Sequence, residues 1–285
     1  MSKENHPRIV IFGATGRLGR LLVKHFHEAG HPIVPIGRRA DTLKTLPGEY
    51  AVLDLDDNPG AAFSIRAGDI VINTVHARYT SAIARLCPDE IERYIVIGSA
   101  RYLSGIADVK ADEVRAAARF LENSGLPWVL LHPTMIYGAA GENNVQRMAA
   151  LIRRFHIVPL PGGGQALIQP IHVLDVVEAV VRAATKPGLK RAVLHLGGPE
   201  AIPYAVFLRA IASASGSWVA VPPLPVTLLR LAARLSALVP GVPTIKDAEV
   251  LRLREDKAVD VSEMKDVLGL KPRSLEQGLK ETFSK

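Results

Sequence analysis

At 285 residues, 48% hydrophobic and 22% charged, the chain can bury a sizeable core and falls outside the disordered class; it is long enough for one large α/β domain or a core with a smaller lobe. Its one cysteine, Cys87, excludes an internal disulfide and stands in no metal-ligand spacing, so no metal site is expected. The formal charge of +7, from scattered arginines with only 5% aromatic residues, reads as a solvated basic surface that draws anionic ligands such as a phosphate-bearing cofactor, not as a nucleic-acid footprint.

The stretch MSKENHPRIVIFG lacks the apolar run and cleavage site of a signal peptide, and the run from Arg8 is too short to span a bilayer; a cytoplasmic location is the expectation. RIVIFG (8–13) is a short β-branched run closed by glycine and predicts a buried parallel strand. GATGRLG follows, then a segment whose Leu18, Leu21, Leu22 and Phe26 repeat at helical spacing. Strand, glycine turn and helix stand in the order a dinucleotide site requires. Gly13 permits the tight turn, Gly16 lets the backbone approach a pyrophosphate, and Gly19 lets the helix pack on the strand. Free N–H groups and the positive helix end then face the phosphates, with Thr15, Gly16, Arg17 and Leu18 as cofactor-binding positions.

HPIVPIG (31–37) predicts the second strand, with Arg38 and Arg39 behind it. An NAD site ordinarily places a carboxylate here for the ribose hydroxyls. A guanidinium instead grips a 2′-phosphate with two parallel hydrogen bonds, so NADP is favoured over NAD. YAVLDLDD (50–57) predicts a third strand whose end, Asp54 and Leu55, flanks an adenine. GDIVINTVHARYT (68–80) carries a fourth and ERYIVIGSA (92–100) a fifth. Ligands bind beyond the carboxyl ends of such strands, which places Thr74, Val75, His76 and Ser99 on the functional edge. His76 has two readings, a contact to substrate or nicotinamide ribose and a satisfied structural histidine.

ADVKADEVRAAARFLENSG (107–125) predicts a helix, LPWVLLHP a sixth strand ending at Pro133, and AVLHLGG (192–198) a further core strand. PLPGGGQALIQP (159–170) is glycine-rich without a strand–helix context, and so shapes a cleft rather than cradling phosphate. PPLPVTLLRLAARLSALVPG (222–241) shows a narrow polar stripe of Thr227, Arg230 and Arg234 on an otherwise apolar helical wheel. That suits a helix lining an apolar pocket, packing in a homodimer, or lying on a membrane surface as a peripheral contact, but not an integral span.

GATGRLG, IGSA, the KADE around Lys110, PWVLLHPTMIYG (127–138) and IQPIHVLDVVEAVVRA (168–183) together resemble the short-chain dehydrogenase/reductase superfamily in its extended or atypical branch. The chain is similar to epimerase/dehydratase-like proteins and to the NADPH-binding accessory subunit of complex I, which often lacks the catalytic tyrosine. The resemblance implies a doubly wound α/β Rossmann core at 1–133 and 168–198. A smaller, mostly helical lobe on the substrate side takes 134–167 and 199–285.

It also implies a Tyr-x-x-x-Lys pair, in which the tyrosine exchanges a proton, the lysine holds the nicotinamide ribose, and a nearby serine polarises the carbonyl. Lys110 falls on the lysine position and Ile106 on the tyrosine position. The serine is Ser99, or Ala100 if the alignment shifts by one. His132 stands where an arginine is frequent before the Pro. Tyr102 substitutes for the missing phenol only if a loop at Gly105 folds it back, since one continuous helix would hold it roughly 12 Å from Lys110. Lys110 is itself a proton donor only if burial or a neighbouring cation depresses its pKa. Two functions therefore stand: an NADP(H)-dependent oxidoreductase or epimerase-like enzyme acting on a small molecule, either a nucleotide sugar or an apolar carbonyl compound, and a non-catalytic NADPH-binding protein.

Overall fold

A computed structural model of the chain describes residues 6–57, 63–138, 145–230 and 247–284. The first half alternates strand and helix: β1 (Ile9–Phe12), α1 (Arg17–Glu28), β2 (Ile33–Gly37), α2 (Ala40–Leu43), β3 (Ala51–Val52), β4 (Ile70–Asn73), α3 (Thr80–Ala84), β5 (Arg93–Ile97), α4 (Val109–Glu122) and β6 (Trp128–Pro133). Then come β7 (Ile136–Tyr137), α5 (Val145–Phe155), β8 (Leu167–Ile168), β9 (Ile171–His172), α6 (Val173–Thr185), β10 (Ala192–Leu196), β11 (Ile202–Pro203) and α7 (Tyr204–Ala214). Helices at Asp247–Arg252, Ser262–Leu268 and Leu275–Phe283 follow.

Seven strands form one sheet in the order β10-β6-β5-β4-β1-β2-β3, and every pairing in it is parallel. The order reverses between β1 and β4, which opens the crevice where doubly wound sheets take ligands. Side-chain alternation along each strand builds a core on each face. Ile9 and Ile11 of β1 pack with Leu22, Phe26 and the α6 residues Val176, Ala179 and Val180. Val10 and Phe12 point the other way, to Ile83, Tyr94, Leu121 and Trp128. A third cluster joins Val145, Ala149 and Ile152 of α5 to Phe207, Leu208 and Ile211 of α7 and to Leu279. The fold is the expected doubly wound α/β one.

Several expected elements are shorter than the sequence predicts. The third strand shrinks from 50–57 to Ala51–Val52, because past Leu53, whose N–H reaches the Gly37 carbonyl at 2.9 Å, the acidic run turns on itself and the Asp56 N–H meets Asp54 Oδ1 at 3.1 Å. The helix expected over 107–125 spans Val109–Glu122. Asp108 stops it at the front by accepting the Lys110 N–H at 3.1 Å, the usual device for an N-terminus. Residues 231–241 of the unusual apolar segment, Arg234 among them, lie outside the described residues.

Candidate functional site

The glycine turn sits at the carboxyl end of β1, and its three glycines are held by different constraints. Gly13 has φ +81°, and a Cβ there would stand 2.6 Å from Thr74 Oγ1 and 2.8 Å from Val75 Cγ1. It therefore keeps the turn tight and lets β4 lie close. A Cβ on Gly19 would drive into the Gly13 carbonyl oxygen at 2.2 Å, so that glycine seats α1 on the turn. At Gly16 the added atom would meet only the Gly13 oxygen, at 3.1 Å, and its remaining side is open. Open backbone at a helix N-terminus, with no acidic residue in the first turn of α1, is the arrangement that accepts a phosphate.

Arg38 and Arg39 follow β2 and are exposed. The β2 end abuts the turn: a Cβ on Gly37 would come within 3.5 Å of Thr15. Among the described residues neither guanidinium has a side-chain hydrogen bond or ion pair. Asp54 and Leu55 are half-buried one strand further out. Leu18 is partly buried against the core, while Arg17 is exposed. These residues fit a phosphorylated dinucleotide: a bare backbone cradle, a positive helix end and two uncommitted cations.

On the other side of the turn, Thr74 donates its hydroxyl to the Phe12 carbonyl at 2.8 Å, and the Val75 N–H is taken by Asn73 Oδ1 at 3.0 Å. The first bond ties Thr74 to β1, and the second fixes Val75 on the end of β4. His76 is exposed, with Nδ1 2.9 Å from Glu113 Oε2 on α4. That contact lacks hydrogen-bond alignment, since Oε2 is without a hydrogen-bond partner. It places His76 beside a carboxylate of α4, on the functional edge.

Beyond β5, Ser99 caps a short 3-10 helix, Ala100–Leu103, accepting the Arg101 N–H on its hydroxyl at 3.2 Å. Its own N–H donates to Nδ1 of His132 at 3.2 Å. His132 is buried on β6, and its pKa falls to about 4 through burial first and the charge of His195 second. Its close seat depends on Gly98, where a Cβ would stand 2.5 Å from Nδ1. His132 is paired in register with His195 of β10. Tyr102 stacks on His132 at 4.3 Å between centroids, and its hydroxyl lies 2.8 Å from His195 Nε2. Burial lowers the His195 pKa and raises that of Tyr102. Tyr102 lies in that 3-10 helix, and its phenol is directed to His195 of β10.

Ile106 lies outside α4, and Lys110 is the second residue of that helix, with an exposed side chain. The tyrosine and lysine positions therefore do not share a helical turn. The intervening loop is tied down by a distant segment. Glu255 accepts the Ser104 hydroxyl at 2.7 Å and the Gly105 N–H at 3.0 Å, and Arg252 meets Asp108 at 2.9 Å. Burial pushes the Asp108 pKa up, but the Lys110 N–H and the guanidinium groups of Arg101 and Arg252 carry it below the ordinary carboxylate value. Pro133 ends β6 opposite Leu196. Sequence reading missed the ring cluster and the Glu255–Arg252 clasp. The one local signal was a histidine in each of two otherwise apolar strands.

A glycine cradle and uncommitted cations on this sheet edge define an NAD(P)-binding Rossmann protein. Comparison with known proteins narrows the class. A family model described as NAD(P)H-binding matches residues 13–151, and the NAD-dependent epimerase/dehydratase family model matches 107–197. These matches make the chain similar to NAD(P)H-binding and epimerase/dehydratase proteins of the atypical short-chain dehydrogenase/reductase kind. It is 25% identical over 218 residues to an uncharacterized protein of Mycobacterium tuberculosis, covering 73% of this chain and 23% of that one. It is also 26% identical over 216 residues to the mitochondrial NADH dehydrogenase (ubiquinone) 1 alpha subcomplex subunit 9 of Arabidopsis thaliana, covering 67% and 53%. The chain thus spans about a quarter and about half of the lengths of these relatives. Among solved structures, the NADPH-dependent quinone oxidoreductase of Escherichia coli bound to NADPH superposes with a TM-score of 0.75 at 20% identity, over 97% of this chain and all 100% of that one.

Proposed function

We propose that the chain is an NADPH-dependent reductase whose acceptor is a small, apolar, conjugated carbonyl compound of the quinone kind. The observation that carries the cofactor choice is the exposed Arg38–Arg39 pair beside Thr15 of the glycine turn. Two uncommitted guanidinium groups at that point suit a 2′-phosphate and leave an NAD ribose without its usual carboxylate. Bound there, the nicotinamide supplies a hydride. Gly16 and the first turn of α1 hold the pyrophosphate, Asp54 and Leu55 flank the adenine, and Thr74, Val75 and Pro133 border the nicotinamide end. Residues 1–133 and 168–198 form the cofactor-side unit; 134–167 and 199–285 form the substrate-side one.

The acceptor follows from the tyrosine position. An isolated ketone reduced by hydride becomes an alkoxide, which needs a positioned acid, and epimerisation needs a base on a sugar hydroxyl. Ile106 provides neither. A reduced quinone carries its charge as a phenolate, whose acid has a pKa near 10, so solvent can deliver the proton without a dedicated donor. Lys110 and His76 then serve to hold the ribose and the cleft edge, and Ser99 keeps its capping role. Likeness in fold to a quinone oxidoreductase agrees with this reading. The second reading, a protein that holds NADPH without turning it over, is favoured by the clasp of Glu255 and Arg252 on the Ser104–Asp108 loop.

Calorimetry on Arg38→Asp tests the cofactor: NADPH affinity is expected to fall at least tenfold while NADH affinity holds. Equal loss for both removes the 2′-phosphate assignment. NADPH oxidation against a quinone panel tests the reaction, and tight NADPH binding with no turnover across that panel selects the second reading.

A further inference from the structure

The corner where α5 ends carries an apolar surface that the fold itself does not use. Phe155, Ile157 and Trp218 are 42%, 50% and 64% exposed, although side chains of this kind ordinarily seek burial. They are held firmly. His156, in left-handed backbone at φ 53°, stacks on Trp218 with 4.8 Å between ring centroids and 14° between planes. Its Nδ1 lies 3.2 Å from the Trp218 carbonyl oxygen and 3.3 Å from Ser217 Oγ. The Ala220 N–H donates to the His156 carbonyl and the Val158 N–H to the Ala220 carbonyl, each at 2.9 Å, so the two segments form one clamped edge.

The two segments that build this edge carry charge of one sign. Residues 145–174 and 201–246 contain no aspartate or glutamate, while the first segment carries Arg147, Arg153 and Arg154 and the second Arg209, Arg230, Arg234 and Lys246. Arg153 and Arg154 are exposed, and the Arg154 guanidinium stands 5.0 Å over the Phe155 ring. Exposed Trp218, Phe155 and Ile157 beside the exposed Arg153 and Arg154 make up the pattern of a surface that sits in a membrane interface. Three apolar side chains are far short of the roughly 800 Å² per partner that a stable protein interface needs. They suffice for shallow insertion when diffuse charge adds to it. Among the described residues no helix is long and apolar enough to cross a membrane.

We propose that this corner docks on an anionic lipid bilayer, with Trp218, Ile157 and Phe155 entering the headgroup boundary and Arg153 and Arg154 meeting lipid phosphates. The contact is separate from the cofactor cradle and independent of the proposed reductase activity.

Co-sedimentation of the full chain with vesicles tests it, using phosphatidylcholine alone and phosphatidylcholine mixed with phosphatidylglycerol. The chain is expected to pellet with the mixed vesicles and stay in solution with the neutral ones. Trp218→Ser with Ile157→Ser should lower the partition coefficient about tenfold. Arg153→Gln with Arg154→Gln should lower it about 25-fold, near fivefold per charge, and added salt should weaken the wild type likewise. All four side chains are exposed or project outward, so thermal midpoints should match the wild type. Absence of vesicle binding, or binding that survives both double variants, overturns the proposal. So does a wild-type dimer in sedimentation that both double variants convert to monomer, which would assign the corner to a second copy of the chain.

Discussion

His132 makes the stability of this protein depend on pH in a calculable way. The ring is 1% exposed, its Nδ1 accepts the Ser99 N–H, and its pKa drops from 6.5 to about 4, through burial and then the charge of His195. Protonating Nδ1 would also break the Ser99 bond. The unfolded chain binds a proton near 6.5 and the folded chain only near 4, so the neutral ring's contribution is present above 6.5 and is lost as pH falls toward 4. The full shift is worth about 3 kcal/mol at 1.36 kcal/mol per unit, of which about 2.5 kcal/mol is gone by about pH 4.5. Burial lowers His172 and His195 too, so wild type should lose somewhat more than this. The assay is urea unfolding of wild type and His132→Gln at about pH 7 and pH 4.5. The variant is expected to be less stable at neutral pH, and its loss on acidification should be about 2.5 kcal/mol smaller. Equal acid losses in the two proteins would refute the assignment of a buried neutral ring at this position.

Gly13→Ala combines a left-handed φ with an atom placed 2.6 Å from Thr74 Oγ1; a loss of about 2–3 kcal/mol is expected by thermal or urea unfolding. Ile106→Tyr puts a phenol in a loop ahead of α4 rather than one turn before Lys110, so NADPH oxidation against simple ketones should rise less than about tenfold. A gain of several orders would mean that the loop closes into the helix. Lys110→Met should weaken NADPH binding by about tenfold through lost ribose contacts, read by calorimetry, while the helix cap at Asp108 and the thermal midpoint are preserved.

Local sequence was enough for the glycine turn and for the strand and helix on either side of it. RIVIFGATGRLG carries its own strand, turn and helix signals within one short stretch, because β-branched runs, glycine and helical spacing act between near neighbours. The arginines after β2 were legible for the same reason, as their place follows from the strand end beside them. What sequence could not decide was where α4 begins and what closes over it. Asp108 wins the Lys110 N–H against continued helix, and Arg252 and Glu255 arrive from the far end of the chain to fix the loop before it. Nor could sequence bring Tyr102 to His195, 93 residues away, because that meeting depends on the register of β6 against β10. Strand order and register are set by how whole faces bury against α1, α4 and α6. No window of neighbouring residues holds that information, so the glycine cradle was written locally and the ring cluster only in the packed sheet.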